Sequence, residues 1–179
     1  MTTLERSQAA AARAPTGRLA LSPTLAGLGR WLIATDAGHA ATVARLVLAL
    51  VMFPHGAQHA LGWFGGYGFS GTLQWMTGTL GLPAPLAALA IVTELLAPIA
   101  LLLGIGGRLA AMGIFGLMAV AATTHFANGF FMNWFGALPA GGEGFEYHIL
   151  AAALALVVVI DGSGALSLDR RFAGRVVGR

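Results

Sequence analysis

Four histidines and one glutamate stand within or beside long apolar runs of this sequence, and they are its best candidates for chemistry. His55 and His59 are four residues apart and would share one face of a helix. Glu94, His125 and His148 follow in later apolar runs. Because an ionisable side chain at membrane depth is costly, each is a candidate functional group or a paired structural one.

Three kinds of chemistry fit these side chains. Imidazole and carboxylate groups are ordinary metal ligands, although two histidines at this spacing are a weak signal. His55 and His125 could supply the two ring nitrogens of a bis-histidine haem. A hydrogen-bonded network of glutamate and histidine could instead carry protons or hold a polar ring, such as that of a quinone. In a structural interpretation, the same groups satisfy one another and fix the register of the helices.

The composition excludes a water-soluble domain. Of the 179 residues, 57% are hydrophobic and 9% are charged, and the mean hydropathy is +0.78. Soluble domains carry roughly 25% charged residues. The absence of cysteine excludes disulfides, thiolate metal sites and CxxC redox motifs. Since there is also no flavin or haem motif, redox chemistry would need a bound cofactor or a partner.

All ten basic residues are arginines, and all can be placed on one side of a membrane. The loops at about 62–82 and 129–144 contain neither Lys nor Arg. Because short arginine-rich loops stay untranslocated, this pattern predicts that both termini are cytoplasmic. The positive charge is therefore attributed to topology and to anionic lipid headgroups, not to binding of nucleic acid.

Four apolar segments predict four membrane-spanning helices. The expected spans are about 42–63, 83–103, 108–128 and 145–160, the last near the lower length limit. A segment that begins at Ser22 predicts a short amphipathic helix at the membrane interface. Lipid offers no water to backbone groups, so we predict an all-α integral membrane four-helix bundle with an N-terminal interfacial amphipathic helix.

This organisation divides the chain into three parts. We expect a cytoplasmic tail and interfacial helix at 1–40, the transmembrane domain at 41–163 and a basic cytoplasmic tail at 164–179.

A rise of about 1.5 Å per residue places all the candidate groups between the midplane and the outer surface. The inner half is expected to be nearly bare of ionisable groups. The glycine- and aromatic-rich outer loops are typical of an interfacial belt, and they also suit a lid over a pocket.

The segments that carry these groups resemble the DoxX family of small four-helix bacterial membrane proteins. The resemblance runs from about Arg45 to Asp169 and includes MFPHGAQHALGWFGG, VTELLAPIALLLG, HFANGFFMNW, EYHILAAALAL and LSLD. It implies a four-helix bundle. It also implies an association with redox chemistry, because some relatives are membrane subunits of a thiosulfate:quinone oxidoreductase or partners of redox enzymes.

Individual residues of this sequence also match the pattern of the family. The matching residues are His55, Gly56, Gln58, Glu94, His125, Asn128, Tyr147 and His148. Where the family commonly has lysine after the glutamine, this chain has His59, which titrates near neutrality and bears no fixed charge. The predicted catalytic residues are His55, His59, Glu94, His125 and His148. The predicted cofactor-binding residues are Gln58, Trp63, Asn128, Asn133 and Tyr147.

Together these observations predict a redox- or quinone-associated protein of the bacterial inner membrane, with a polar pocket in its periplasmic half. As an enzyme it would be a quinone-linked oxidoreductase or the membrane subunit of one. Its expected partners are the lipid bilayer, a quinone or other small apolar ligand, and other membrane or redox subunits. The alternative is a non-catalytic accessory or scaffold subunit of a larger membrane complex. Metal and haem remain open alternatives as cofactors.

Overall fold

The computed structural model describes residues 23–35, 38–136, 138–139 and 142–176. Residues 1–22 and 36–37 of the N-terminal part predicted at 1–40 lie outside these ranges, as do the last three residues of the basic C-terminal tail. Every regular element of the described residues is helical, so the all-α prediction is confirmed. The helices are α1 (Pro23–Ile33), α2 (His39–Leu61), α3 (Gly68–Gly78), α4 (Ala84–Leu103), α5 (Gly107–His125), α6 (Glu146–Asp161) and α7 (Leu168–Val176).

Four of these helices form the membrane bundle. Among the described residues, α2, α4 and α5 are long and apolar enough to cross a membrane. The fourth, α6, has 16 residues and is shorter. In the bundle α2 packs on α4 and α6, and α5 packs on the same two helices. Three of the four predicted spans therefore coincide with helices that could cross a membrane, and α6 forms at the place of the fourth. Helix α1 forms at the predicted place and lies against α5 and α7.

The interior is built mainly from small residues, whereas the outside is covered by large apolar ones. Ala49, Ala111 and Ala155 are buried where the helices cross, and such residues let the backbones approach closely. Leu50 and Leu109 project outward and are 75% and 64% exposed. A surface of this kind requires lipid or another apolar partner around it.

Arg45 is buried where α4 turns into α5, at the end of the bundle that we call the arginine end. Only 1% of Arg45 is exposed. Its guanidinium donates hydrogen bonds to the backbone carbonyls of Leu101, Leu102, Ser163 and Leu166. The last carbonyls of a helix have no partner within the helix, so Arg45 satisfies the end of α4 and ties the C-terminal segment to it.

Arg108 makes a second set of hydrogen bonds to backbone carbonyls. Its Nε and Nη2 donate to the carbonyls of Val159 and Ile160, at 2.9 and 2.8 Å. Its Nη1 donates to the carbonyls of Trp31 and Ala34. The guanidinium also lies over the Trp31 ring, 4.9 Å from its centroid, which is a cation–π geometry. Arg108 therefore joins α1 and the end of α6 to the start of α5.

Asp169 completes the arginine end. It is 3% exposed and accepts hydrogen bonds from the backbone N–H of Gly106 and Gly107, at 2.8 and 3.0 Å. Ser163 Oγ donates to the same carboxylate at 2.6 Å. Asp169 thus caps the start of α5 from another segment of the chain. The expectation that this half of the bundle is nearly bare of ionisable groups is wrong, because carbonyls and N–H groups at the helix ends give buried charges partners.

Replacing Arg45 with Met should leave the carbonyls at the end of α4 without donors where water has little access. We expect the melting temperature in detergent micelles to fall by about 5 °C or more, because unsatisfied buried groups are costly. Arg170→Met is the matched control, since Arg170 is exposed on α7. Equal melting temperatures of the two variants would contradict the capping role of Arg45.

Candidate functional site

The end of the bundle opposite the arginine end, which we call the histidine end, contains a cavity of about 360 Å³. Six predicted site residues line it: His55, His59, Glu94, His125, Tyr147 and His148. Most of the remaining wall is apolar and includes Met52, Trp75, Met76, Leu117 and Val120. The cavity volume lies in the lower part of the range of small-molecule pockets, roughly 300–1,000 Å³.

The closest polar contact in the cavity joins His59 and Glu94. Nδ1 of His59 lies 2.6 Å from Oε2 of Glu94, which is hydrogen-bonding distance. Their side chains are 32% and 12% exposed, respectively. A carboxylate at membrane depth needs such a partner. Imidazole and carboxylate in direct contact can also share and transfer a proton.

The distance between His59 and Glu94 depends on Gly56. At this residue α2 crosses α4 so closely that an added Cβ would overlap backbone atoms of Glu94 and Leu95. Glycine is therefore the residue that allows the crossing, and the crossing places His59, one turn further along α2, beside the glutamate.

The other imidazoles form a row of ring contacts with Tyr147. The ring centroids of His125 and His148 are 4.6 Å apart. Those of Tyr147 and His148 are 5.8 Å apart, and those of His55 and Tyr147 are 6.0 Å apart. Residues from α2, α5 and α6 thus meet on one side of the cavity, with the His59–Glu94 pair also in its lining.

Hydrogen bonds restrict two members of this row. Nδ1 of His125 lies 2.9 Å from the carbonyl of Ala121, one turn earlier in α5. A carbonyl can only accept, so Nδ1 carries a proton and Nε2 is the acceptor of the neutral ring. The hydroxyl of Tyr147 donates to the sulfur of Met52 at 3.3 Å. Sulfur is a weak acceptor, so a ligand oxygen could replace it at little cost.

Two predicted cofactor-binding residues of α2 and the loop after it lie outside the cavity lining. The Gln58 amide donates to the carbonyl of Phe64 at 3.3 Å, which holds the first loop against α2. Trp63 is half exposed and packs edge-on against Phe53, with centroids 6.4 Å apart. The structure thus gives both residues contacts within the loop region and none with the cavity.

The two predicted asparagines likewise lie outside the lining and contact the second loop. Asn128 donates through its amide nitrogen to the carbonyl of Glu143 at 3.0 Å. Asn133 donates to the carbonyl of Leu138 and accepts from the N–H of the same residue, at 2.8 and 3.1 Å. Both amides therefore bind carbonyls of the second loop.

Part of the cavity wall was not predicted from the sequence. The segment Gly68–Gly78, treated as loop, is the helix α3, and its Trp75 and Met76 line the cavity. Three glycines within this helix weaken its helical signal. The aromatic residues between them are the only sequence feature that pointed to a folded segment.

The second loop also contributes to the wall, and Glu146 holds it in place. Oε2 of Glu146 accepts from the backbone N–H of Met132 and from Nε1 of Trp134, at 3.1 and 3.2 Å. Met132 and Glu143 reach the cavity lining.

The described side chains favour a hydrogen-bonded network over a metal centre. Among them, no group of three or more His, Asp or Glu residues is arranged to hold a metal ion. The geometry instead provides ring nitrogens, a carboxylate and a hydroxyl around an apolar space. Such an arrangement can orient a flat ligand with polar edges and exchange protons with it.

Comparisons with known proteins agree with the architecture. Residues 40–134 match the DoxX family, which is slightly more than half of the chain. The Escherichia coli (strain K12) protein named inner membrane protein YphA is 32% identical over 133 residues, which cover 72% of this chain and 87% of that protein. No solved structure matches the chain significantly.

Gly56→Ala should force α2 and α4 apart, because the added methyl group would overlap the backbone of α4. Overpacking of this kind costs roughly 2 kcal/mol, so we expect a clear fall in melting temperature. Gly116→Ala is the matched control, since a Cβ at Gly116 on α5 meets nothing within 4 Å. A G56A protein as stable as G116A would show that the crossing does not require glycine.

Proposed function

The chain belongs to the DoxX family, and we propose that it is a quinone-associated component of the bacterial inner membrane that binds a quinone ring at the histidine end. The observation that carries this proposal is one cavity at membrane depth that combines apolar walls, several imidazoles and a carboxylate–imidazole pair. Ligand pockets typically have such linings, mostly apolar with a few convergent polar groups.

The residues of the cavity would divide the work of binding and proton transfer. The imidazole N–H of His55 donates a hydrogen bond to a ring carbonyl and orients the ring, and Nε2 of His125 accepts from a hydroxyl of the reduced ring. The hydroxyl of Tyr147, held only by a weak sulfur acceptor, is a second donor to the ring edge. His59 and Glu94 hold a proton between Nδ1 and Oε2 and exchange it with the cavity.

A bound quinone supplies a two-electron, two-proton redox couple. The sequence has no cysteine, and in this proposal the electrons come from a partner redox subunit or a small reductant. The role of the protein is then to place the ring, exclude water and manage protons. This division of labour is typical of cofactor-dependent chemistry in proteins.

The proposed orientation places the arginine end in the cytoplasm. Arginine-rich segments stay on the cytoplasmic side during insertion, and the loops at the histidine end contain no basic residue. The E. coli relative is named an inner membrane protein. Both termini would then be cytoplasmic, and the cavity would lie in the periplasmic half of the bundle.

An accessory role in a larger complex is the second candidate. It is favoured by the outer face of α5, where Leu109, Met112 and Phe115 are exposed around Gly116, which has open space beside it. A helix of a partner could pack closely there. Under this proposal, changes on that face would impair co-purification with a larger assembly and leave the cavity unaffected.

Glu94→Gln should weaken quinone binding about tenfold, because the variant loses the charge-assisted hydrogen bond between Glu94 and His59 in a cavity with little water. The measurement is quenching of tryptophan fluorescence by decylubiquinone, with the protein in lipid nanodiscs. Trp75 in the cavity wall serves as the reporter. Asp161→Asn is the control, since this carboxylate lies at the other end of α6 and outside the cavity lining.

The proposal also requires that quinone is extracted with organic solvent from the protein purified out of its native membrane. If no quinone co-purifies and E94Q binds decylubiquinone as tightly as the unmodified chain, the quinone function is wrong. Co-purification with a larger complex, without any quinone, would favour the accessory role instead.

A further inference from the structure

The wall of the cavity reaches the outside of the bundle at membrane depth. Val120 lines the cavity, yet it is 52% exposed. It lies five residues before His125, where α5 ends, which is about 7.5 Å along the helix axis. At this depth on a membrane-spanning helix, an exposed side chain faces acyl chains. The edge of the cavity at Val120 therefore borders lipid.

The neighbouring helices leave a gap at this edge. Helix α3 packs on α2 and α4, whereas α5 packs on α4 and α6. Trp75 of α3 and Val120 of α5 nevertheless line the same cavity, and Ala90 of α4 lies in the lining as well. The side chain of Ala90 is a single methyl group and fills little of the space between α3 and α5. This space therefore stays open to the side.

On the side toward water, part of the cavity wall comes from the second loop. Met132 and Glu143 of the second loop line the cavity, and Glu146 fixes this loop through the N–H of Met132 and the indole of Trp134. A ligand that came from the aqueous side would have to displace these contacts. A ligand that came from the bilayer would only have to pass Val120.

We infer that the ligand enters sideways from the lipid, through the gap between α3 and α5, and that it carries an apolar tail. This inference rests on the proposed function, in which a quinone ring occupies the cavity. A cavity of about 360 Å³ has room for a substituted ring. The tail leaves past Val120, where the lining borders lipid, and stays among the acyl chains, while the ring meets the imidazoles.

Val120→Phe tests this route, because the larger side chain narrows the gap without touching the polar groups. Two probes are compared in lipid nanodiscs by quenching of tryptophan fluorescence. Decylubiquinone has a ring and a ten-carbon tail, and 2,3-dimethoxy-5-methylbenzoquinone has the ring alone. We expect V120F to weaken binding of the tailed probe at least tenfold and that of the bare ring less than twofold. Leu109→Phe, at an exposed position near the other end of α5, should change neither.

A second variant protects the test against loss of folding. Val120→Ala widens the gap, so it should bind the tailed probe as tightly as the unmodified chain or more tightly. Equal weakening of both probes in V120F, or no change in either, overturns the lateral route while the quinone function stands. If the unmodified chain binds neither probe, the proposed function fails and the inference fails with it.

Discussion

Carbonyl groups at the end of a membrane-spanning helix need donors, and this bundle supplies them from within. At the arginine end, Arg45 and Arg108 donate to the final carbonyls of α4 and α6, and Asp169 receives the first N–H groups of α5. These charges are tolerable because each one meets several backbone partners. They fasten α1, the α4–α5 turn and the C-terminal segment into one unit.

The cavity lies at the other end, and the α2–α4 crossing determines its chemistry. Near Gly56 the two backbones nearly touch, and one turn further His59 meets Glu94 at 2.6 Å. Beyond the crossing the space is filled by α3 and the second loop and not by bundle helices. The same packing thus produces a buried carboxylate, a set of imidazoles and a cavity of ligand size. The polar groups therefore cannot be altered without affecting how the helices meet.

Hydropathy and residue spacing were sufficient to predict α1, α2, α4, α5 and α6 and to place five ionisable groups at one end. They could not reveal the burial of Arg45 and Arg108, because an arginine that caps a helix and one that faces headgroups look alike in a sequence. The helix α3 was missed since its glycines mask the helical period. Gln58 was grouped with its neighbour His59, yet adjacent residues on a helix point about 100° apart, and the amide contacts the first loop instead.

The shortness of α6 has a consequence for the surrounding bilayer. Its 16 residues rise about 24 Å, against a hydrocarbon thickness of about 30 Å. Lipids beside α6 must shorten or tilt to match it, so the bilayer is locally thinner along one side of the protein. This thinning has an elastic cost, which falls when two such sides of neighbouring proteins meet or when lipids with shorter chains gather there. The length of a single helix therefore biases which lipids and which neighbours this protein collects.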